Sequence, residues 1–122
     1  MLTSAIKKQI RSSFEAAKIQ LPNFSNRSSQ NIMIAEISKT LSGEYPKSNP
    51  ILCVEAPTGI GKTMAYLISC LPIAKANKKK LIIACANVAL QEQILYKDIV
   101  EAKKYSSVEF EYALAKGRSR YV

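Results

Sequence analysis

One stretch of the chain, Ile51-Leu-Cys-Val-Glu-Ala-Pro-Thr-Gly-Ile-Gly-Lys-Thr63, places an apolar run directly before a loop that contains proline and glycine. The run 51–54 has no polar interruption, which is typical of a strand buried on both faces of a parallel sheet. Residues 57–62 predict a loop, and a helix is expected from about Lys62 to Ala76. The spacing from Ala56 to Thr63 matches the Walker A motif, with Ala56 where the strict pattern has glycine.

The residue types of this loop suit a bound triphosphate. Consecutive backbone N–H groups supply donors, glycines let the main chain approach the phosphates, and the following helix directs its positive end at them. Lys62 can reach the β- and γ-phosphates and Thr63 can bind Mg²⁺, so these two are the candidate catalytic residues. The alternative is a glycine-rich turn without a ligand. The loop residues predicted to bind ATP are Ala56, Pro57, Thr58, Gly59, Ile60, Gly61, Lys62 and Thr63.

The rest of the chain predicts an alternation of helices and strands. Apolar residues at helical spacing indicate helices over 4–19 and from Ser28 to Leu41, and a further helix is expected from Val88 to Tyr105. The apolar run 81–85 and the alternating segment 108–112 are typical of strands. Pro72 should kink or end the helix that contains it. The order predicts an α/β fold with a parallel βαβαβ sheet, preceded by two N-terminal helices.

Composition narrows the function classes. The 122 residues carry 18 Lys and Arg against nine Asp and Glu, for a net charge of +9, which favours a polyanionic partner but is also found in basic proteins that bind none. The absence of histidine excludes Ser-His-Asp triads and imidazole metal sites. Three cysteines without CxxC spacing indicate core residues of a reducing cytoplasm, and no apolar run is long enough to cross a membrane.

Two further segments suggest which nucleotide and which polymer are bound. Gln30, with Phe24 and Arg27 upstream, can pair with an adenine edge through its amide while an aromatic or guanidinium plane stacks on the base. An isolated glutamine on a helix is, however, most often a surface residue. The segment 87–93, Asn-Val-Ala-Leu-Gln-Glu-Gln, begins a helix after a predicted strand, where α/β sheets place ligands.

Taken together, these residues resemble the DinG-type, iron–sulfur branch of superfamily 2 DNA helicases, which also contains XPD. Arg27, Gln30 and Met33 fit that family's adenine-reading Q motif, 55–63 with Tyr66-Leu-Ile looks like motif I, and 87–93 looks like motif Ia. The ending 116–122 is similar to the segment before the first cluster-binding cysteine.

The resemblance implies ATP-driven 5′→3′ DNA unwinding by two RecA-like domains, with a 4Fe–4S domain inserted in the first. It divides the chain into an N-terminal helical segment with the adenine-reading element (1–50) and the first part of a RecA-like domain with motifs I and Ia (51–122). The implied partners are DNA, expected single-stranded, and further helicase domains in cis. The motif Ia likeness implies that Asn87 and Gln91 contact DNA. The basic side chains of Lys116, Arg118 and Arg120 are candidate phosphate contacts by their charge, and the alternative for these three is a solvated chain end.

The sequence also departs from that family. Cys85 stands where relatives commonly carry threonine, and the chain has no Asp-Glu-Ala-His motif, no cluster cysteines and one aspartate, Asp98. We therefore expect an N-terminal piece that holds ATP and Mg²⁺ but cannot turn ATP over alone. Two alternatives stay open. One is a short non-catalytic protein that binds nucleotide or single-stranded DNA; the other, disfavoured by the lack of a lid arginine cluster, is a small P-loop kinase.

Overall fold

The regular structure of the described residues is helical. The computed structural model describes residues 3–21, 28–44, 50–56 and 61–120. Within these ranges the elements are α1 (Ser4–Gln20), α2 (Ser28–Leu41), α3 (Lys62–Ala76), α4 (Val88–Gln93), a π-helical segment (Ile94–Asp98), α5 (Ile99–Tyr105) and a short 3₁₀ turn (Arg118–Arg120). The four helices predicted from periodicity are therefore present. In the described ranges, none of the helices has the length and apolar character that a bilayer crossing requires.

The predicted α/β class with a parallel RecA-like βαβαβ sheet is wrong for the described residues. The segments 51–56, 81–85 and 108–112 contain no strand, and no backbone hydrogen bond joins one of them to another. A strand needs a hydrogen-bonded neighbour, whereas an apolar run reports only hydrophobicity. The first two runs are not fully buried either, because Ile51 is 75% exposed and Ile82 is 84% exposed, although Leu81 and Ile83 pack partly buried against the core.

Helix α3 lies at the centre of the fold. It packs against α1, α2 and α5, and seven consecutive side chains from Leu67 to Ile73 are buried. A helix that is apolar on all sides needs such neighbours around it. Ser69 is fully buried and donates to the carbonyl oxygen of Ala65 over 2.7 Å, which satisfies its hydroxyl within the helix. The helix continues past Pro72 to Ala76, so of the two predicted effects Pro72 does not end the helix.

Hydrogen bonds of two serine side chains join α1 to the segment after α5. The Ser107 hydroxyl donates to the carbonyl oxygen of Gln9 over 2.7 Å, and the backbone N–H of Ser107 donates to Ser13 Oγ over 3.0 Å. Because the hydroxyl proton of Ser107 is donated to Gln9, the hydroxyl of Ser13 is the donor in its bond to Ser107 Oγ, at 3.0 Å. Ser13 is 1% exposed and Ser107 is exposed, so this network joins α1 to the later segment at the edge of the core.

Two helices end in the same hydrogen-bonded motif with different residues at the left-handed position. After α2, Glu44 N–H donates to Lys39 and Gly43 N–H to Thr40, with Gly43 at φ 75°. This is a Schellman motif, in which glycine commonly occupies the left-handed position. After α3, Lys79 N–H donates to Ala74 in the equivalent bond, and Lys78 adopts φ 53°. A lysine therefore takes a backbone conformation that glycine adopts without steric cost.

Candidate functional site

The N-terminus of α3 is joined to α2 by a side-chain to backbone bond. Gln30 Nε2 donates to the carbonyl oxygen of Gly61 over 3.1 Å, and the same carbonyl accepts the Ala65 N–H at 3.0 Å as the helix starts. Gly61 has φ 78°, and a Cβ at this position would collide with the Gln30 amide. Only glycine satisfies both constraints. The structure thus brings two predicted nucleotide-site residues, 31 positions apart, into direct contact.

Gln30 is a buried residue with an incomplete set of partners. It is 2% exposed, so the interpretation of Gln30 as a surface residue is wrong. Its Oε1 is buried and has no hydrogen-bond partner among the residues that the structure describes. Most buried polar atoms are hydrogen-bonded, so this unpartnered acceptor near the start of α3 is an exception. Met33, one turn further along α2, is half-buried and packs on the core.

Lys62 and Thr63 form the first turn of α3. The Lys62 ammonium is exposed and donates to the carbonyl oxygen of Ala56 over 3.0 Å, which returns the side chain to the start of the loop. Thr63 Oγ1 accepts a hydrogen bond from the Tyr66 hydroxyl at 3.4 Å. Tyr66 is a candidate functional residue that the motif itself does not single out, although its spacing of three residues on a helix places it beside Thr63.

Burial shifts the pKa values of two groups near this turn, Tyr66 and Asp98. Desolvation raises the pKa of Tyr66 despite the opposing hydrogen bond to Thr63, so the hydroxyl stays protonated and remains a donor. Burial also raises the pKa of Asp98, with Glu101 adding to the shift and Lys97 opposing it. Asp98 Oδ2 is buried and without a partner in the described parts of the chain. It lies at the end of the π-helical segment, a feature that the sequence pattern did not predict.

Several predicted site residues cannot be placed. Six of the predicted ATP-binding residues lie outside the described residues, namely Phe24, Arg27, Pro57, Thr58, Gly59 and Ile60. The structure therefore places Gln30, Ala56, Gly61, Lys62 and Thr63 of that set, and it joins four of them in the two hydrogen-bonded pairs given above.

The predicted DNA-contacting residues lie on two segments that meet. Asn87 caps α4, because its side-chain oxygen accepts the Leu90 N–H at 2.8 Å. Gln91 Nε2 donates to the carbonyl oxygen of Ala115 over 3.4 Å, next to half-buried Lys116. Arg118 is exposed in the 3₁₀ turn, and the side chain of Arg120 is not among those described. Asn87 thus has a structural role that spacing alone did not distinguish from a binding role.

The described residues do not form a metal cluster. Cys53 is exposed, Cys70 is buried and Cys85 is half-buried, and burial raises the pKa of the Cys70 thiol. Across the four described ranges, no three cysteine or carboxylate residues converge as metal ligands. The donor set there therefore does not fit an iron–sulfur cluster. A single Mg²⁺ held by Thr63 and phosphate oxygens needs no such cluster of side chains.

Comparison with known proteins gives one family and one group of relatives. A DEAD/DEAH box helicase model matches residues 27–121. The chain is 49% identical over 121 residues to the ATP-dependent DNA helicase DinG of Photobacterium profundum. It is 45% identical over 121 residues to DinG of Escherichia coli (strain K12) and 43% identical to that of Salmonella typhimurium. Each match covers 99% of this chain, but only 18% of the Photobacterium protein and 16% of the other two.

Proposed function

Because this chain belongs to the DEAD/DEAH box helicase family, we propose that it supplies the ATP-binding part of a DinG-like ATP-dependent DNA helicase. In the whole protein, ATP hydrolysis would drive 5′→3′ unwinding of DNA. The chain spans less than a fifth of the length of the relatives it matches, so it would contribute phosphate and adenine contacts rather than the whole reaction.

The contact between Gln30 and Gly61 carries this proposal. It holds a buried amide against the last residue of the phosphate loop, and the unpartnered Oε1 supplies an acceptor there. The exocyclic amine of adenine is a matching donor, and an amide that both donates and accepts distinguishes adenine from guanine. Gln30 would therefore select the base, with Phe24 and Arg27 supplying stacking contacts.

The first turn of α3 would bind the phosphates and the metal ion. Lys62 is exposed and donates to the Ala56 carbonyl, a bond that it can exchange for one to a phosphate oxygen. Thr63 accepts from Tyr66 and keeps its remaining lone pair for Mg²⁺. Bound Mg²⁺ would neutralise charge on the β- and γ-phosphates.

Hydrolysis needs groups that this sequence does not contain. A carboxylate to hold Mg²⁺, a group to orient water and a cation across the cleft are the usual components of phosphoryl transfer. No Asp-Glu-Ala-His motif occurs, and Asp98 lies on the π-helical segment rather than in the loop. The 122-residue chain is therefore expected to bind ATP without turnover.

DNA would contact the surface where α4 meets the segment before the 3₁₀ turn. Asn87 and Gln91 would present polar groups to the backbone, and Lys116 and Arg118 would pair with phosphates. The hydrogen bond from Gln91 to Ala115 supports this grouping because it brings the two segments together. Single-stranded DNA is the proposed substrate.

A nucleotide-binding titration tests the proposal. A fluorescent ATP analogue with Mg²⁺ should bind the chain, unlabelled ATP should displace it better than GTP, and Lys62→Ala should weaken binding by at least tenfold. Lys75→Ala is the matched control, since Lys75 is exposed on the last turn of the same helix. Equal affinity of the two variants, or equal displacement by GTP, would refute the assigned nucleotide site.

Turnover is measured separately. With single-stranded DNA present, phosphate release from the purified chain should not exceed that of Lys62→Ala. DNA-stimulated release that this substitution abolishes would overturn the expectation that the chain cannot hydrolyse ATP alone.

A further inference from the structure

Helix α1 has two opposite faces of different chemistry. Ile6, Ile10, Ser13 and Ala17 point into the protein. The other side lines a shallow depression, and because its members recur at spacings of three and four they share one face of the helix. We call this surface the α1 basic face, which consists of Ser4, Lys7, Lys8, Arg11, Ser12 and Glu15.

The positive charge on this face is not neutralised within the described ranges. Lys7, Lys8 and Arg11 are exposed, and no carboxylate in the described part of the chain lies within ion-pair distance of any of them. Glu15 is the one acidic member of the face, and its carboxylate pairs with Lys18 at 3.3 Å. Three cations therefore lie side by side and face water.

Helix stability does not account for this arrangement. The first turn of a helix carries the positive end of its dipole, where acidic residues stabilise and basic residues do not. The first turn of α1 contains no acidic residue. Lys7 and Arg11 are four residues apart, a spacing at which like charges repel. The dipole reaches no further than Lys7, but the repulsion acts between Lys7 and Arg11, so an external anion would relieve a repulsion that the fold leaves in place.

We propose that the α1 basic face binds the phosphate backbone of DNA. Lysine, arginine and serine are the side chains that contact phosphate oxygens, and arginine can do so through two parallel bonds. The centre of a protein interface is usually rich in aromatic and apolar residues, whereas this face has none. DNA is therefore a better match than an acidic protein. The inference rests on the proposed action on DNA and adds a second contact surface to the one at α4.

The test compares two variants with the same loss of charge. The first changes the face, as Lys7→Gln/Lys8→Gln/Arg11→Gln, and the control changes three exposed lysines elsewhere, as Lys75→Gln/Lys79→Gln/Lys80→Gln. Fluorescence anisotropy with a labelled oligothymidine gives the Kd of each across salt concentrations from about 50 to about 200 mM. Circular dichroism confirms that each variant is folded, and Lys7→Arg/Lys8→Arg keeps the charge and should keep the affinity.

The face variant should bind about tenfold more weakly than the wild type at low salt. Its plot of log K against log salt should be flatter by about 2, since each lost phosphate contact to single-stranded DNA contributes about 0.7. The control should change less on both measures. Equal losses in the two variants would overturn the inference and leave the proposed DNA-binding function standing.

Two other outcomes separate the proposals. Absence of DNA binding by the wild-type chain would overturn both the α1 basic face and the proposed DNA contacts, while ATP binding would remain independently measurable. Polyglutamate competing as effectively as unlabelled oligothymidine would overturn the assignment of DNA and favour an acidic protein partner instead.

Discussion

Gln30 donates its side-chain amide to the carbonyl oxygen of Gly61 over 3.1 Å, at the point where α3 begins. Gly61 is held in the left-handed region at φ 78°, and the space that a side chain would need is taken by the Gln30 amide. The two residues therefore constrain each other. Any change in the loop conformation that moves the Gly61 carbonyl must also affect a glutamine that is 2% exposed on α2.

Gly61→Ala should destabilise the chain by about 2 kcal/mol or more. The left-handed backbone costs a non-glycine residue about 1–2 kcal/mol, and the new methyl group also collides with Gln30. Thermal or urea unfolding measures the loss. Gly43→Ala is the control, because Gly43 has φ 75° but open space around it and therefore isolates the backbone cost.

A double substitution can distinguish the steric collision with Gln30 from the backbone cost of Gly61→Ala. Gln30→Ala/Gly61→Ala should lose less stability than the sum of the two single variants, since removing the amide frees space for the methyl group. Strict additivity would contradict the close contact between the two residues.

Lys78→Gly should stabilise the chain by about 1 kcal/mol. Lys78 occupies the left-handed position of the motif that ends α3, where a side chain is unfavourable and glycine is not. The midpoint of thermal unfolding should rise by about 4 °C. Lys79→Gly, one residue later and without a positive φ, should lower stability or leave it unchanged because glycine there only adds freedom to the unfolded chain. A similar rise in both variants would contradict this.

Ser13→Ala should destabilise the chain by about 1–3 kcal/mol. The substitution leaves the Ser107 N–H without its acceptor in a partly buried position, which carries a cost of desolvation. Ser12→Ala removes the same atom from an exposed site on the same helix and should change stability by less than about 0.5 kcal/mol. Comparable unfolding free energies for the two variants would argue against the network between α1 and the segment after α5.

Asp98→Asn should raise stability near neutral pH. Burial raises the pKa of Asp98 in the folded chain above 3.8, so the folded state binds more protons than the unfolded state in the window above that value. Stability therefore falls as pH rises through this window, and the ionised group is unfavourable at pH 7. The advantage of the asparagine variant should shrink as the pH falls towards about 4. Glu92→Gln, at an exposed site, is the control, and a pH-independent difference for Asp98→Asn would contradict the assignment.

Periodicity predicted the helices well because the backbone hydrogen bonds of a helix form within one continuous segment of the chain. The predicted ranges Ser28–Leu41 and Lys62–Ala76 agree with α2 and α3, and 4–19 differs from α1 by one residue. The helix predicted from Val88 to Tyr105 is interrupted by the π-helical segment, a local change of hydrogen bonding that an apolar pattern does not encode.

The strand predictions were wrong for a different reason. The alternation of apolar and acidic residues at 108–112 is matched in part by their burial, because Val108 is buried and Glu109 is exposed. The segment nevertheless pairs with no other segment in the described ranges. Strand formation depends on a second segment, and no local pattern supplies one.

The sequence by itself determined the loop motif, the extents of α1, α2 and α3 to within one residue, and the family, because spacing, capping residues and local periodicity are properties of neighbouring positions. Only the tertiary structure decided that Gln30 is buried against Gly61 and that the described apolar runs remain unpaired. These outcomes depend on which residues distant in sequence come into contact and exclude water. The free energy of such a contact depends on both segments, so neither segment alone determines it.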